Sequence, residues 1–437
     1  MVLRVEDTDV SKKTQAFVDA ILEPLQWLGI DWDEGPFFQS DRIDSHKAAV
    51  EQLVADGCAY HCDLTRDQID ALSAEAGLPA GYHGWSRDRE VLPGAGVVVR
   101  FRAPDQGVTV IDDLIRGRVE VAHETIEDFV ISRGDGSPTF LIANAVDDHD
   151  MAISHVIRGE DLLNTTAKVM LLWDALGYGE PPAYAHLPLL VNEQRKKLSK
   201  RRDDVALSDY VAKGYLPEAM VNALALLGWG PPDEVEIRPI EEVIRLFTLE
   251  AVNKSAAFFD IKKLNHINAE YIKALDPTRF TELVEPYMIA ADAPWPAAAY
   301  RAEVVKALAP EIQQRIVNLS EAPRWVSWLF VPSIDHYDEK SWTKAMVKGK
   351  AAGRVLDEVI AALDADAFDD PDTVEAAVMG VGNRLSEELE VRVMSQAPVR
   401  VAITGHSAGI PLWQAITLLG RESTLERLRA ARARLES

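Results

Sequence analysis

YAHLPLLVNEQRKKLSKRR, residues 184–202, joins an apolar run to a cationic one. Its first eight residues are apolar enough for a buried strand of a covered parallel sheet. The loop that follows carries six Lys or Arg side chains between Arg195 and Arg202. The chain as a whole leans the other way, with 46 Lys and Arg against 70 Asp and Glu and a formal net charge of −24. Ligands of open α/β sheets gather at the carboxyl ends of strands. A loop at such an end, with Lys197 and Lys200 three apart and Ser199 between them, suits a polyphosphate. Lysine there is a mobile point charge for oxygens that gain negative charge in phosphoryl or nucleotidyl transfer. The competing reading is a solvated charge run, the usual fate of basic stretches. The position after a core-like strand in an acidic chain sets the two readings level.

Working outward, VLRVE (2–6) alternates like a strand, and helical spacing runs over 14–28 with an interruption at Pro24 and Gly29 as its C-cap. IDWDEGPFFQSDR reads as a turn-rich link, and 43–57 as a second amphipathic helix ending at Gly57. Residues 58–125 hold short strand candidates at 97–103, 108–115 and 117–123, so a mostly β module is inserted here. From Phe129 the α/β pattern returns: FVISR as a strand, TFLIANAVDDHD as a helix, ISHVIRG as a strand and 160–177 as a helix. Beyond Leu207 the pattern is almost wholly helical. The split halves of the α/β domain imply a parallel sheet completed across the insertion.

The 437 residues are 47% hydrophobic and 27% charged, which is globular composition. At roughly 100–200 residues per domain, two to four domains are expected. The start, MVLRVEDTDV, lacks a basic region and an apolar core, and the longest apolar stretch, 219–229, is too short for a bilayer. The expectation is a soluble, cytoplasmic protein without membrane association. Two cysteines, Cys58 and Cys62, fit a reducing compartment and are read as incidental thiols, with no metal site. The charge argues against general affinity for nucleic acid but not against a local basic surface.

KLSKR (197–201) resembles the second signature loop of class I aminoacyl-tRNA synthetases. LRVEDTD (3–9), 27–42 and DFVISRGDGSPTFLIANAVDDHDMAISHVIRGED (128–161) resemble successive segments of glutamyl-tRNA synthetases, and 411–428 is similar to their C-terminal anticodon-binding module. The resemblance covers nearly the whole chain. It implies an α/β, Rossmann-like catalytic domain with a β-rich insertion, followed by an all-α anticodon-binding half. The expected divisions are 1–57 and 128–205 for the catalytic domain, 58–127 for an acceptor-stem module, 206–275 for a helical stem-contact region and 276–437 for anticodon binding.

The resemblance also implies roles. Glu6 would receive the ammonium of glutamate, Asn144 would hydrogen-bond the substrate and Arg158 would clamp a substrate carboxylate. Asp161 would contact the nucleotide ribose, and Lys197, Ser199, Lys200 and Arg201 would hold ATP phosphates, with Lys197 and Lys200 also catalytic. Phe140 stands where the family usually has Tyr, which removes a polar contact to glutamate. The implied partners are glutamate, ATP with Mg²⁺, and tRNA-Glu, with tRNA-Gln as a second candidate, acting on a monomer. The implied reaction is glutamate–tRNA ligation through glutamyl-adenylate. Trp325, Trp328 and Phe330 are candidate aromatics for stacking on anticodon bases, against a core reading of W-x-x-W. The family's first signature, a PSPTG turn followed by an H-x-G-H-like element, is not found in the chain, and YHGW (82–85) is no substitute. The expectation is therefore an N-terminally truncated chain with an incomplete ATP site, and its alternative is a non-catalytic tRNA-binding protein.

Overall fold

The computed structural model describes residues 1–8, 14–198, 206–365, 368 and 370–436. The chain forms two compact units, residues 1–207 with 220–260 and residues 208–219 with 261–437.

The first unit opens with strand β1 (Val2–Val5), helix α1 (Gln15–Trp27) and strand β2 (Glu34–Phe38), which pairs with β1 in parallel. The Thr14 hydroxyl accepts the Phe17 N–H at 3.2 Å and starts α1. Gly29, at φ +68°, closes it in the left-handed region that glycine enters without a Cβ penalty. Pro24 lies inside the last turns of α1 without ending it, contrary to the expected interruption. β2 was also unexpected, because Gly35 and Pro36 make its sequence read as a turn. A Cβ at Gly35 would run into the Leu3 carbonyl oxygen, so glycine lets the two strands approach.

Helix α2 (Ile43–Ala55) leads into strand β3 (Ala59–Cys62), helix α3 (Arg66–Glu75) and strands β4 (Val98–Phe101), β5 (Val108–Asp113), β6 (Gly117–Ala122) and β7 (Val130–Ser132). β3, β4 and β7 form one antiparallel sheet and β5–β6 an antiparallel hairpin. The inserted region thus includes a helix, started by a capping box of Thr65 and Gln68. FVISR, expected in the α/β layer, instead closes the antiparallel sheet against β4. Cys62 packs in a small apolar cluster with Ile69 and Tyr82, with the Ser86 hydroxyl 3.4 Å from its Sγ, and nearby in sequence Arg87 donates to both oxygens of the buried Asp128.

Helix α4 (Phe140–Asp150), strand β8 (His155–Gly159), helix α5 (Leu163–Ala175) and strand β9 (Ala183–Leu187) follow, with β8 and β9 parallel. The expected strand over 184–191 divides at Pro188, which has no N–H for the ladder. Its remainder, β10 (Leu190–Val191), pairs instead with β11 (Ala257–Phe258). Among the described residues β1–β2 and β8–β9 are separate parallel pairs, not the one sheet expected across the insertion. Leu53, Ile131, Ile142, Ala167 and Leu172 are fully buried in a core shared by α2, α4, α5 and β7. Ile111 of β5 joins that core, and the Leu114 N–H donates to the Tyr184 carbonyl at 2.9 Å, so the hairpin is fused to the α/β layer.

The second unit is helical, from Ile261–Ala274 and Pro277–Met288 to Leu412–Leu419 and Arg421–Glu436. Trp328 and Phe330 are buried, and the Phe330 ring packs 5.5 Å from Trp295 and 5.9 Å from Tyr300. They are core residues, which corrects their candidacy for base stacking. Trp325 is half-buried beneath Arg324. No helix among the described residues is long and apolar enough to cross a membrane.

Arg427 ties this unit together. It is 3% exposed and donates to the carbonyls of Trp328, Ile403 and Val331 at 2.7, 3.0 and 2.6 Å. Burial pushes its pKa down to about 10. Arg427→Leu would orphan three carbonyls at about 1–3 kcal/mol each. We expect at least about 3 kcal/mol less stability in urea unfolding followed by tryptophan fluorescence, and an unchanged midpoint would refute this role.

Candidate active site

α4 carries the polar floor of the site through the core. Seven of its residues in a row, Ile142 to Asp148, are buried, so its amide and carboxylates need partners from the protein. Asp147 accepts His46 Nε2 at 2.8 Å and Arg42 Nε at 2.6 Å. Burial alone would raise its carboxyl, but these bonds outweigh it and hold the group below its usual range. Asp148 accepts Arg4 Nη2 at 2.7 Å. Burial raises this carboxyl, against the pull of Arg4. The Asn144 side-chain oxygen accepts Gln39 Nε2 at 2.8 Å and Arg4 Nη2 at 3.4 Å. With the oxygen so occupied, the amide N–H groups of Asn144 are left for Glu6, whose charge they favour.

Glu6 follows β1 and is exposed to solvent. Protein crowded around it raises its carboxyl, opposed by Arg4 and Asn144, while solvent contact keeps the group wet. Arg158 is half-buried on β8 and feels Glu6, Asp148 and Asp161 electrostatically. Its hydrogen bonds go to neutral groups: Nη2 to Thr166 Oγ1 at 2.7 Å, and Nε to His186 Nε2 at 3.5 Å. No carboxylate among the described residues pairs with it directly. Burial lowers its pKa, yet an arginine remains charged. A partly desolvated cation without a contact counter-ion is costly unless an anion arrives from outside. Tyr184 lies beside it, with Arg158 Cζ 5.9 Å from the ring and a buried hydroxyl that has no hydrogen-bond partner among the described residues. Burial pushes that hydroxyl up to about 12.

Glu6 is therefore within reach of both Asn144 and Arg158. The nucleotide-side candidates begin beside Arg158. Asp161, in the turn after β8, accepts Lys197 Nζ at 2.7 Å, and that bond holds its carboxyl below the usual range. Neighbouring Glu160 pairs with Arg116 and accepts the Leu189 N–H at 3.1 Å, fixing the chain before the basic loop. Phe140 is half-buried at the first position of α4. Ser199, Lys200 and Arg201 lie outside the described residues. Among the described residues, no cluster of three or more His, Cys, Asp or Glu side chains could hold a metal ion.

The family model for the catalytic domain of class I tRNA synthetases (E and Q) matches residues 1–266, and an anticodon binding domain matches 279–432. A glutamate–tRNA ligase of Thermobifida fusca is 50% identical over 100% of this chain and 91% of its own length. The chain belongs to the glutamate–tRNA ligase family. A Frankia casuarinae glutamate–tRNA ligase is likewise 50% identical, over 99% of this chain and 91% of its own length. The solved glutamate–tRNA ligase of Elizabethkingia meningosepticum, in complex with its amino acid, superposes with a TM-score of 0.84 at 27% identity, covering 99% of this chain and 92% of that one. Membership makes the chain an aminoacyl-tRNA ligase, with glutamate, ATP and tRNA as its reactants. The fold is that of a Rossmann-like catalytic part with a helical anticodon-binding half. These matches lend no support to an inactive chain.

Sequence reasoning passed over Arg4, Gln39, Thr166, Tyr184 and His186. Arg4 had the best signal, a cation inside an otherwise apolar strand. It is also the most testable. Asp148 has a raised folded pKa, so its contribution to stability is full below the usual carboxylate pKa and lost as pH rises through the folded value. Arg4→Met removes the only pull in the other direction from its contact partner, which widens that window. We expect a loss of about 3–5 kcal/mol at pH 7.5, shrinking as pH falls toward 5. Urea titrations at both pH values check this, and a deficit that grows on acidification would contradict it.

Proposed function

We propose that Glu6, Asn144 and Arg158 hold glutamate, and that the loop from Lys197 to Arg201 handles ATP. The single observation that carries this reading is the Arg158 guanidinium, held by neutral partners with its charge unpaired at contact distance. A carboxylate of the substrate supplies the missing anion, and Glu6 receives the ammonium. A carboxylate oxygen of glutamate attacks the α-phosphorus of ATP, the bond to pyrophosphate breaks, and glutamyl-adenylate remains. A terminal ribose hydroxyl of tRNA then attacks the acyl carbon, loses its proton and displaces AMP. The protein's share is positioning and charge stabilisation.

Lys197 would exchange Asp161 for phosphate when nucleotide enters, freeing Asp161 to meet the ribose. Lys200, Ser199 and Arg201 would complete the phosphate cradle. Phe140 would line the pocket without a polar contact. Magnesium would come with the ATP phosphates, and no step here depends on it. Residues 58–127 would hold the acceptor stem, 206–275 the adjoining stem and 276–437 the anticodon of tRNA-Glu, with tRNA-Gln as a second candidate. The two unpaired thiols suit a cytoplasmic protein, and a monomer suffices for one tRNA.

Glutamate-dependent exchange of pyrophosphate into ATP, measured with tRNA present, tests the reading. We expect exchange by the whole chain, with Arg158→Lys raising KM for glutamate by roughly 10–10²-fold. Lys200→Ala should slow adenylate formation by on the order of 10²-fold. Exchange without glutamate dependence would refute the substrate, and unchanged kinetics in both variants would refute the residue assignment.

A further inference from the structure

Three polar side chains lie beneath Arg158 and touch no reacting group. His186 on β9 and Thr166 on α5 are fully buried, and Asp113 at the end of β5 is 4% exposed. His186 Nδ1 lies 2.6 Å from Asp113 Oδ2, and His186 Nε2 lies 2.9 Å from Thr166 Oγ1. Arg158 Nη2 donates to the same Thr166 oxygen at 2.7 Å.

The direction of each bond follows from chemistry. A guanidinium only donates, so the Thr166 oxygen accepts from Arg158, and His186 Nε2 faces the Arg158 Nε donor at 3.5 Å as an unprotonated nitrogen. The Thr166 proton has two acceptors in reach, that nitrogen at 2.9 Å and the Leu162 carbonyl at 3.3 Å, and the nearer is the imidazole. Nε2 of His186 is then the acceptor, Nδ1 carries the hydrogen, and Asp113 accepts it. The groups that act on this imidazole are Asp113, which favours its charge, and Arg158 and Arg116, which oppose it, with the Tyr184 ring stacked 6.2 Å away. Burial keeps the imidazole below its usual pKa, against the pull of Asp113. A second proton would sit at Nε2, against Thr166 and the guanidinium.

We propose that His186, relayed through Thr166 and anchored by Asp113, is a positioning residue that sets the plane of the Arg158 guanidinium for a substrate carboxylate. This rests on the reading of Arg158 given above. A plain core histidine would need only two local partners. Here the three links come from three elements and end on the unpaired cation. The choice of neutral groups matters. A carboxylate in place of Thr166 would hold Arg158 equally well but would neutralise it, and the incoming carboxylate would have to displace it. A neutral hydroxyl and imidazole orient the cation and leave its charge available. Asp113 also accepts the N–H groups of Ile115 and Arg116 at 2.9 and 2.7 Å. The turn of the β5–β6 hairpin therefore sets where the imidazole stands, and through it where Arg158 points.

Thr166→Val keeps the shape and removes the hydroxyl, and Thr166→Ser restores it. We expect Thr166→Val to raise KM for glutamate on the order of ten-fold or more, with KM for ATP and tRNA within about two-fold of the parent. Thr166→Ser should recover most of the glutamate affinity. Equal changes in every KM, or a Ser variant no better than Val, would overturn the proposal. Imidazole ¹⁵N spectra of the parent protein, with His186 assigned by its loss in His186→Gln, give a readout independent of activity and of how the Val variant folds. They should show one tautomer, protonated at Nδ1, unchanged between about pH 5.5 and 8. A His186 signal titrating near its ordinary pKa would equally overturn it. A parent chain with no glutamate-dependent exchange would sink the substrate reading instead, leaving the spectra to decide the relay alone.

Discussion

The site depends on one cation kept without a contact counter-ion. Arg158 donates to a threonine hydroxyl and approaches an imidazole nitrogen, neither of which cancels its charge. The fold invests buried structure in that arrangement. Thr166, His186 and Asp113 are all sealed from solvent and arrive from three separate elements. On the reading proposed above, a site built this way is less stable empty than filled, because a substrate carboxylate would supply the interaction that the protein withholds.

The acids of α4 follow the opposite rule. Asp148 and Asp147 are buried carboxylates, each paired with arginine, and Asp147 also with His46. Those charges are satisfied internally, so α4 can run through the core and still present Asn144 toward Glu6. Paired charges give the frame, and the unpaired one is left for the ligand proposed above. Family membership agrees: an enzyme that must capture an acidic amino acid needs a cation whose place is fixed before the ligand arrives.

Much of this was legible in the residues. The patterns of VLRVE and ISHVIRG marked β1 and β8, and TFLIANAVDDHD marked α4, though not that its acids face inward. Other features were hidden for physical reasons. β2 carries Gly35 and Pro36, which read as a turn, yet the close approach of Leu3 requires the glycine. β7 looks like any apolar strand, and only the register with β4 places it in the antiparallel sheet. Pro188 divides one apolar run between two sheets, which hydrophobicity alone does not show. Glu6, Asn144 and Arg158 were named from motif resemblance. Thr166 and His186 were not: Thr166 is one of several polar residues at the start of α5 and His186 a single one in an apolar run, and neither gives a sign of its partner. Long-range pairs such as Asp113 with His186 exist only once the hairpin has docked.

The most direct measurement is a crystal structure of the chain with a non-hydrolysable glutamyl-adenylate analogue. A carboxylate oxygen of the glutamyl moiety should lie within about 3 Å of a guanidinium nitrogen of Arg158, with the ammonium within about 3 Å of Glu6. Arg158 should keep its bond to Thr166. A ligand whose carboxylate is bound elsewhere, with Arg158 turned to one of the protein's own acids, would contradict the account.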